Sequence, residues 1–251
     1  MSDVALIWRM EQAFLLAWPA LRRETVGDWL LQFAPGVSRR ANSANPRHTP
    51  IRNLEATVAE CERRYRAADQ PVLFRVLSTI EPEVSQRLDS LGYTSEGQTA
   101  TLYAPIEATV RAHDAEVLLM AKPEPVWLDT MTAAQGHTGE RAITYRAIVG
   151  AIALPTAFVA LCQEGQPVSL AYGVIHDGFL MCESVITRPV YRKHGYARRV
   201  MTSLLAWGAE QKAHTACLQV QVDNTPALLL YRGLGLKTAL YDYHYRRAPP
   251  G

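Results

Sequence analysis

An apolar stretch over residues 4–18, interrupted by Arg9 and Glu11, predicts an amphipathic helix at the head of the chain. Residues 24–33 and 37–44 then read as the two strands of a hairpin about Pro35-Gly36. A helix is predicted over 54–67, a strand over 72–78, a helix over 83–91 closed by Gly92, and a strand over 99–103. The second half opens with helices over 127–135 and 140–153. Strands over 156–163, 167–176 and 179–187 follow, joined by the turn signals Glu164-Gly165 and Asp177-Gly178. Apolar or small residues at Ala197, Val200, Met201, Leu204, Leu205 and Gly208 then mark a helix packed on a sheet. Residues 216–222 alternate apolar and polar as a half-buried strand does. Pro226 opens a short helix through Tyr231, Gly233-Leu234-Gly235 ends it, and 241–247 reads as a last strand. An antiparallel meander feeding strand–helix–strand–helix–strand is an α/β (α+β) fold on a mixed sheet.

Between the strand at 179–187 and the next helix lies Arg192-Lys193-His194-Gly195-Tyr196-Ala197. The first N–H groups of a helix have no internal partner and the macrodipole adds positive charge there, so a basic, glycine-containing turn at that place suits an anion. Gly195 permits close approach of the backbone, Ala197 keeps the next position small, and Arg192, Lys193 and Arg198 add full charges. The spacing Arg-x-x-Gly-x-Ala is neither the phosphate loop nor the dinucleotide fingerprint.

Pro189 with this turn, then Asn224-x-x-Ala227, then Leu230-Tyr231-x-x-Leu234-Gly235, in this order over roughly residues 125–247, resembles the GNAT superfamily of acyl-coenzyme A-dependent N-acyltransferases. The resemblance implies a GNAT-like second half that takes acetyl-coenzyme A as co-substrate and needs no metal. It implies that the backbone of Val185, Ile186 and Thr187 pairs with the pantetheine arm and donates to the thioester oxygen. The amides from Lys193 through His194, Gly195, Tyr196 and Ala197 to Arg198 would hold the pyrophosphate. Asn224 would bond the pantetheine or neighbouring backbone, and Tyr231 would be the acid that protonates the leaving thiolate. Ala197 stands where glycine is frequent in the family.

The reaction narrows the remaining roles. A lysine-type amine, with a pKa of about 10.4, is mostly protonated at neutral pH, so some group must accept a proton. Glu183, within an apolar strand, is the candidate base; by strict alternation it shares a face with Val185 and Thr187, and burial should raise its pKa and demand a partner. A salt-bridged structural role, His176, His194 or an ordered water are the alternatives. The expected reaction is acetyl transfer to a primary amine by direct attack in a ternary complex. The rival is a coenzyme A-sensing or protein-interaction module on the same fold; aminoacyl transfer from charged RNA would need a basic groove between the halves.

Leu73…Leu77, Pro82…Leu88 and Leu91-Gly92 recur as Leu218…Val222, Pro226…Tyr231 and Leu234-Gly235, which suggests a worn internal repeat. Residues 1–112 would then form a degenerate, acceptor-side GNAT-like half and 113–251 the acyl-coenzyme A-binding half. Arg39-Arg40-Ala41-Asn42-Ser43-Ala44-Asn45-Pro46 either caps a strand end or offers two guanidiniums to an acceptor cleft.

Composition sets outer bounds. At 251 residues and 48% hydrophobic, the chain can bury one or two domain-sized cores. A net charge of +2, with both signs interspersed, gives no electrostatic case for a nucleic-acid partner. Cys61, Cys162, Cys182 and Cys217 are dispersed and read as buried free thiols. A cytoplasmic enzyme acting on a small-molecule or peptide amine, without a membrane partner and with a homodimer left open, fits these bounds.

Overall fold

The computed structural model describes residues 3–36, 38–80 and 82–249. Helix α1 (Asp3–Ala17) precedes strands β1 (Arg22–Val26), β2 (Trp29–Phe33) and β3 (Ala44–Pro46). Then come α2 (Leu54–Ala67), β4 (Leu73–Leu77), α3 (Pro82–Ser90) and β5 (Thr94–Pro105). The second half runs β6 (Val117–Met120), α4 (Pro125–Ala134), α5 (Gly139–Gly150), β7 (Thr156–Gln163), β8 (Gln166–His176) and β9 (Phe179–Thr187). It ends with α6 (Tyr196–Glu210), β10 (Thr215–Gln221), α7 (Thr225–Gly233) and β11 (Thr238–Arg247).

All strands join one mixed sheet in the order β1-β2-β3-β4-β11-β5-β10-β9-β8-β7-β6. Its centre is an exchange. β11 pairs antiparallel with both β4 and β5, and β5 pairs antiparallel with β10. Swapping β4 with β10 and β5 with β11 reverses the central order without changing it. The likeness extends outward, because β3 runs parallel to β4 as β9 does to β10, each flanked by an antiparallel meander. The first half thus repeats the topology of the second, over more of the chain than the strand–helix–strand motif marks.

Helix α6 covers one face of the second half, with Val200, Met201, Leu204 and Leu205 fully buried as their spacing predicts. Helices α1, α4 and α5 cover the opposite face. Hence α1, at the head of the chain, packs on strands from its far end and is tied there by Arg9 to Asp177 at 2.6 Å.

The first hairpin departs from expectation. Its turn is Gly27-Asp28, where Val26 faces Trp29, so 24–33 is two strands and not one. Gly27 has φ +54°, the conformation a two-residue hairpin loop requires. Residues 38–43 form no strand: Asn42 accepts a hydrogen bond from the Ala34 amide at 2.7 Å and donates to the Ser38 carbonyl at 3.2 Å. A side chain here takes backbone groups that a ladder would otherwise use. Val37 lies outside the described residues.

Candidate active site

Strand β9 carries the geometry of the site. It pairs with β8 along its whole length, but one residue is extra. Tyr172 faces Glu183 and Leu170 faces Ile186, leaving both Ser184 and Val185 opposite Ala171. Ser184 takes φ +51° in this β-bulge. The bulge reverses the alternation of faces beyond it. Leu180, Cys182 and Val185 turn to the α6 side, whereas Phe179, Met181 and Ile186 turn to the α1 side. Glu183 belongs with the second set, so it shares a face with Ile186 and not with Val185 and Thr187, contrary to strict alternation.

On its other edge β9 pairs with β10 only from Phe179 to Met181. Past that point β10 stays with β5 out to Gln221 opposite Thr99, while β9 stays with β8 out to Thr187 opposite Ser169. The two parallel strands therefore splay, and the β9 edge from the bulge onward faces a gap with no β10 partner.

The basic turn stands at the end of β9. Gly195 caps α6 with φ +78°, and a Cβ there would meet nothing within 4 Å. The Arg199 backbone amide donates to the Gly195 carbonyl at 3.2 Å, so the amides ahead of it lie at the helix end without helical acceptors. Arg192, Lys193 and Arg198 form no ion pair among the described residues, whereas Arg199 is held by Asp114 and Glu116. His194 lies 2.8 Å from the Arg192 carbonyl through Nδ1 and stacks on Tyr196. Asn224 caps α7, its Oδ1 accepting from the Ala227 amide at 3.3 Å. Its side-chain NH2 is left over from that bond.

Tyr231, on α7, is 7% exposed and packs among the α6-side apolar residues. Burial pushes its hydroxyl pKa up, and the nearby Cys182 and Glu183 raise it further. Several other buried tyrosines are tethered, as Tyr145 is to Ser184 at 3.2 Å and Tyr172 to the Ala17 carbonyl at 3.3 Å. The Tyr231 hydroxyl makes no hydrogen bond among the described residues.

On the opposite face a cavity of about 600 Å³ opens between the halves. Glu183 from β9, Gln219 from β10, Tyr243 from β11, Arg40 from the loop before β3, and His137 and Arg141 from around the start of α5 all line it. Arg40 Nη2 donates to Glu183 Oε2 at 2.7 Å and its Nη1 to Gln219 Oε1 at 2.9 Å. Glu183 is 8% exposed, and its Oε1 is buried without a partner among the described residues. Behind Gln219 lies a second layer. Glu11 forms a two-point ion pair with Arg75, Arg75 Nη2 donating at 2.8 Å, and also accepts from Tyr241. Gln219 Nε2 reaches Glu11 at 3.4 Å and Tyr243 donates to Gln219 Oε1 at 3.1 Å, so the chain of bonds runs from α1 to β9.

A family model described as probable histone acetyltransferase Rv0428c C-terminal matches residues 4–247, nearly the whole chain. The chain belongs to this family of GNAT N-acetyltransferases. A Bacillus subtilis relative described as the uncharacterized N-acetyltransferase YobR is 24% identical over 98% of this chain and 99% of its own. A GCN5-related N-acetyltransferase from Kribbella flavida superposes with a TM-score of 0.71 at 17% identity, covering 100% of this chain and 97% of that one. A tandem GNAT protein from the clavulanic acid biosynthesis pathway gives 0.67 at 11% identity, covering 89% and 79%. The GNAT fold therefore spans both halves.

Within this GNAT enzyme the residues singled out by sequence fall into two groups. Val185, Ile186 and Thr187 line the splayed edge of β9, the turn from Arg192 to Arg198 ends it, and Tyr231 sits on the α6 side. Glu183 turns into the cavity on the other face. The Arg39–Pro46 stretch divides: its arginines line the cavity, while Asn42 and Asn45 satisfy backbone groups. His176 lies in β8 at the far end of β9, opposite Phe179, away from the bulge. Gln219, Tyr243, His137 and Arg141 were not identified by sequence. The alternation of Gln219 and Gln221 with apolar residues in β10 was the available signal, and both line the cavity. Among the described residues no cluster of His, Cys, Asp and Glu could hold a metal, and no helix is long and apolar enough to cross a membrane. All four cysteines are free, and Cys162 is partly exposed.

Proposed function

We propose that this GNAT enzyme transfers an acetyl group from acetyl-coenzyme A to a primary amine by direct attack in a ternary complex. The observation that carries the proposal is the splay of β9 from β10 at the bulge, ending in an open, positively charged helix start at Gly195. Unpaired strand edge suits a pantetheine arm, and free helix amides with Arg192, Lys193 and Arg198 suit a diphosphate. The space beside Gly195 leaves the backbone accessible to such a group.

When bound, the co-substrate supplies an acetyl group activated as a thioester. The chain's residues would do the rest. Backbone N–H groups of Val185 to Thr187 orient the acyl group and stabilise charge on its oxygen. Tyr231, kept protonated by burial, gives its proton to the departing sulfur. Glu183, on the opposite face, holds the acceptor amine through its unpartnered Oε1 and takes the proton the amine loses, directly or through water. Arg40 fixes the other carboxylate oxygen. The first half would supply one wall of the acceptor cavity.

Thiol release from acetyl-coenzyme A across a panel of amines tests the reaction. Amine-dependent release is expected; tight coenzyme A binding with no turnover on any amine would favour a sensing or interaction module instead.

A further inference from the structure

The cavity's charges do not balance, and the imbalance names a class of acceptor. Four guanidiniums line it, from Arg39, Arg40, Arg141 and Arg247. Two carboxylates stand against them. Glu96 is shared between Arg247 at 2.8 Å and Arg39 at 3.5 Å, and Glu183 is bonded to Arg40. Arg141 enters no ion pair among the described residues. Near it, His137 lines the same cavity with a buried Nδ1 that has no partner among the described residues. A concave wall with excess positive charge attracts anions and repels cations. Yet the wall holds one buried, unpartnered carboxylate oxygen, Glu183 Oε1, a fit for a single ammonium and not for a row of them.

We propose that the acceptor is a primary amine that also carries a carboxylate, with its amine at Glu183 and its carboxylate at Arg141 beside His137. This rests on the acetyl-transfer reading above. Burial and the Arg141 charge lower the His137 pKa, so its ring offers the ligand a hydrogen bond and not a second charge. The cavity, about 600 Å³, is of a size that holds an amino acid or a somewhat larger amphoteric molecule. A lysine-rich tail, the acceptor suggested by the description of the matching family, would meet like charge on most of this wall.

Matched pairs of amines test the assignment: phenylalanine against phenethylamine, and lysine against cadaverine, beside a lysine-rich peptide. Thiol release should favour the carboxylated member by about tenfold or more in kcat/KM, the range of one charge-assisted contact. Arg141→Ala should erase that preference by raising KM for the carboxylated amines, leaving KM for acetyl-coenzyme A unchanged, and Arg141→Lys should restore part of it. Equal or better use of the decarboxylated amines or the basic peptide would overturn the proposal, as would an equal loss on both members of each pair in Arg141→Ala. Calorimetric titration of the same compounds reads the site without turnover. Carboxylate-dependent binding lost in Arg141→Ala supports the anion site even if no acetyl is transferred, and its absence in the wild-type protein overturns it. Failure to bind acetyl-coenzyme A would sink the acetyl-transfer reading separately.

Discussion

Tyr231 is the residue on which the proposed chemistry turns. Removing its hydroxyl leaves the ring's packing in place and takes away only the proton. Tyr231→Phe should lower kcat by about a hundredfold or more while coenzyme A affinity stays near wild type. Unchanged turnover would remove Tyr231 from the mechanism. Because its pKa lies above the ordinary value of 10.0, the hydroxyl keeps its proton as pH rises through that value. The wild-type kcat should therefore show no alkaline fall from this group below about pH 10. A limb centred lower that vanishes in Tyr231→Phe would contradict the burial argument. Gly195 makes a second test. Its left-handed backbone resists any side chain, but the space beside it is open, so Gly195→Glu should fold and lose coenzyme A binding through like charge. Normal binding in calorimetry would place the diphosphate elsewhere.

At the scale of elements, α1 and β4 are joined by the Glu11–Arg75 pair, with exposures of 2% and 1%. Arg75 also lies over the Tyr243 ring at 3.6 Å, and Glu11 receives Tyr241. Removing one member leaves the other charge buried and unpaired. Arg75→Met should cost about 3–5 kcal/mol in urea unfolding, and adding Glu11→Leu should recover part of that loss. Additive losses in the double variant would show that the pair is not acting as a unit. The same layer orients Gln219, and through it Arg40 and Glu183, so the single variant should also impair turnover at temperatures where it remains folded.

The molecule as a whole is built by exchange of the last strand of each half, β5 and β11. β11 fills the space between β4 and β5, and β5 lies between β10 and β11. Deleting residues 238–251 would bare facing edges of β4 and β5 along their lengths. That truncation should abolish soluble folded protein, and fragments 1–112 and 113–251 should each fail to give a cooperative unfolding transition alone. A folded, monomeric 113–251 fragment would show that β5 is dispensable to the second half. Pocket and exchange are linked, since Tyr243 on β11 lines the cavity between the halves.

How much of this was legible depended on the range of the interactions. Strand β9 from 179 to 187, the apolar stripe of α6 and the anion-suited turn at Gly195 are local: period, turn chemistry and helix-end electrostatics act within a few residues, so the chain states them directly. The Gly27-Asp28 hairpin was less legible, because Pro35-Gly36 carries the stronger turn signal nearby. The face of Glu183 was not legible at all. The bulge at Ser184 is an extra residue counted against β8, and a strand's own alternation cannot report its partner's register. The cavity between the halves likewise collects Arg40, Arg141, Glu183 and Gln219 from distant segments. Sequence alone determined the fold family and the basic, glycine-containing turn ahead of α6, since both follow from short-range pattern. Which charges meet across the cavity was decided only by the tertiary exchange of strands, because only long-range pairing brings them within bonding distance.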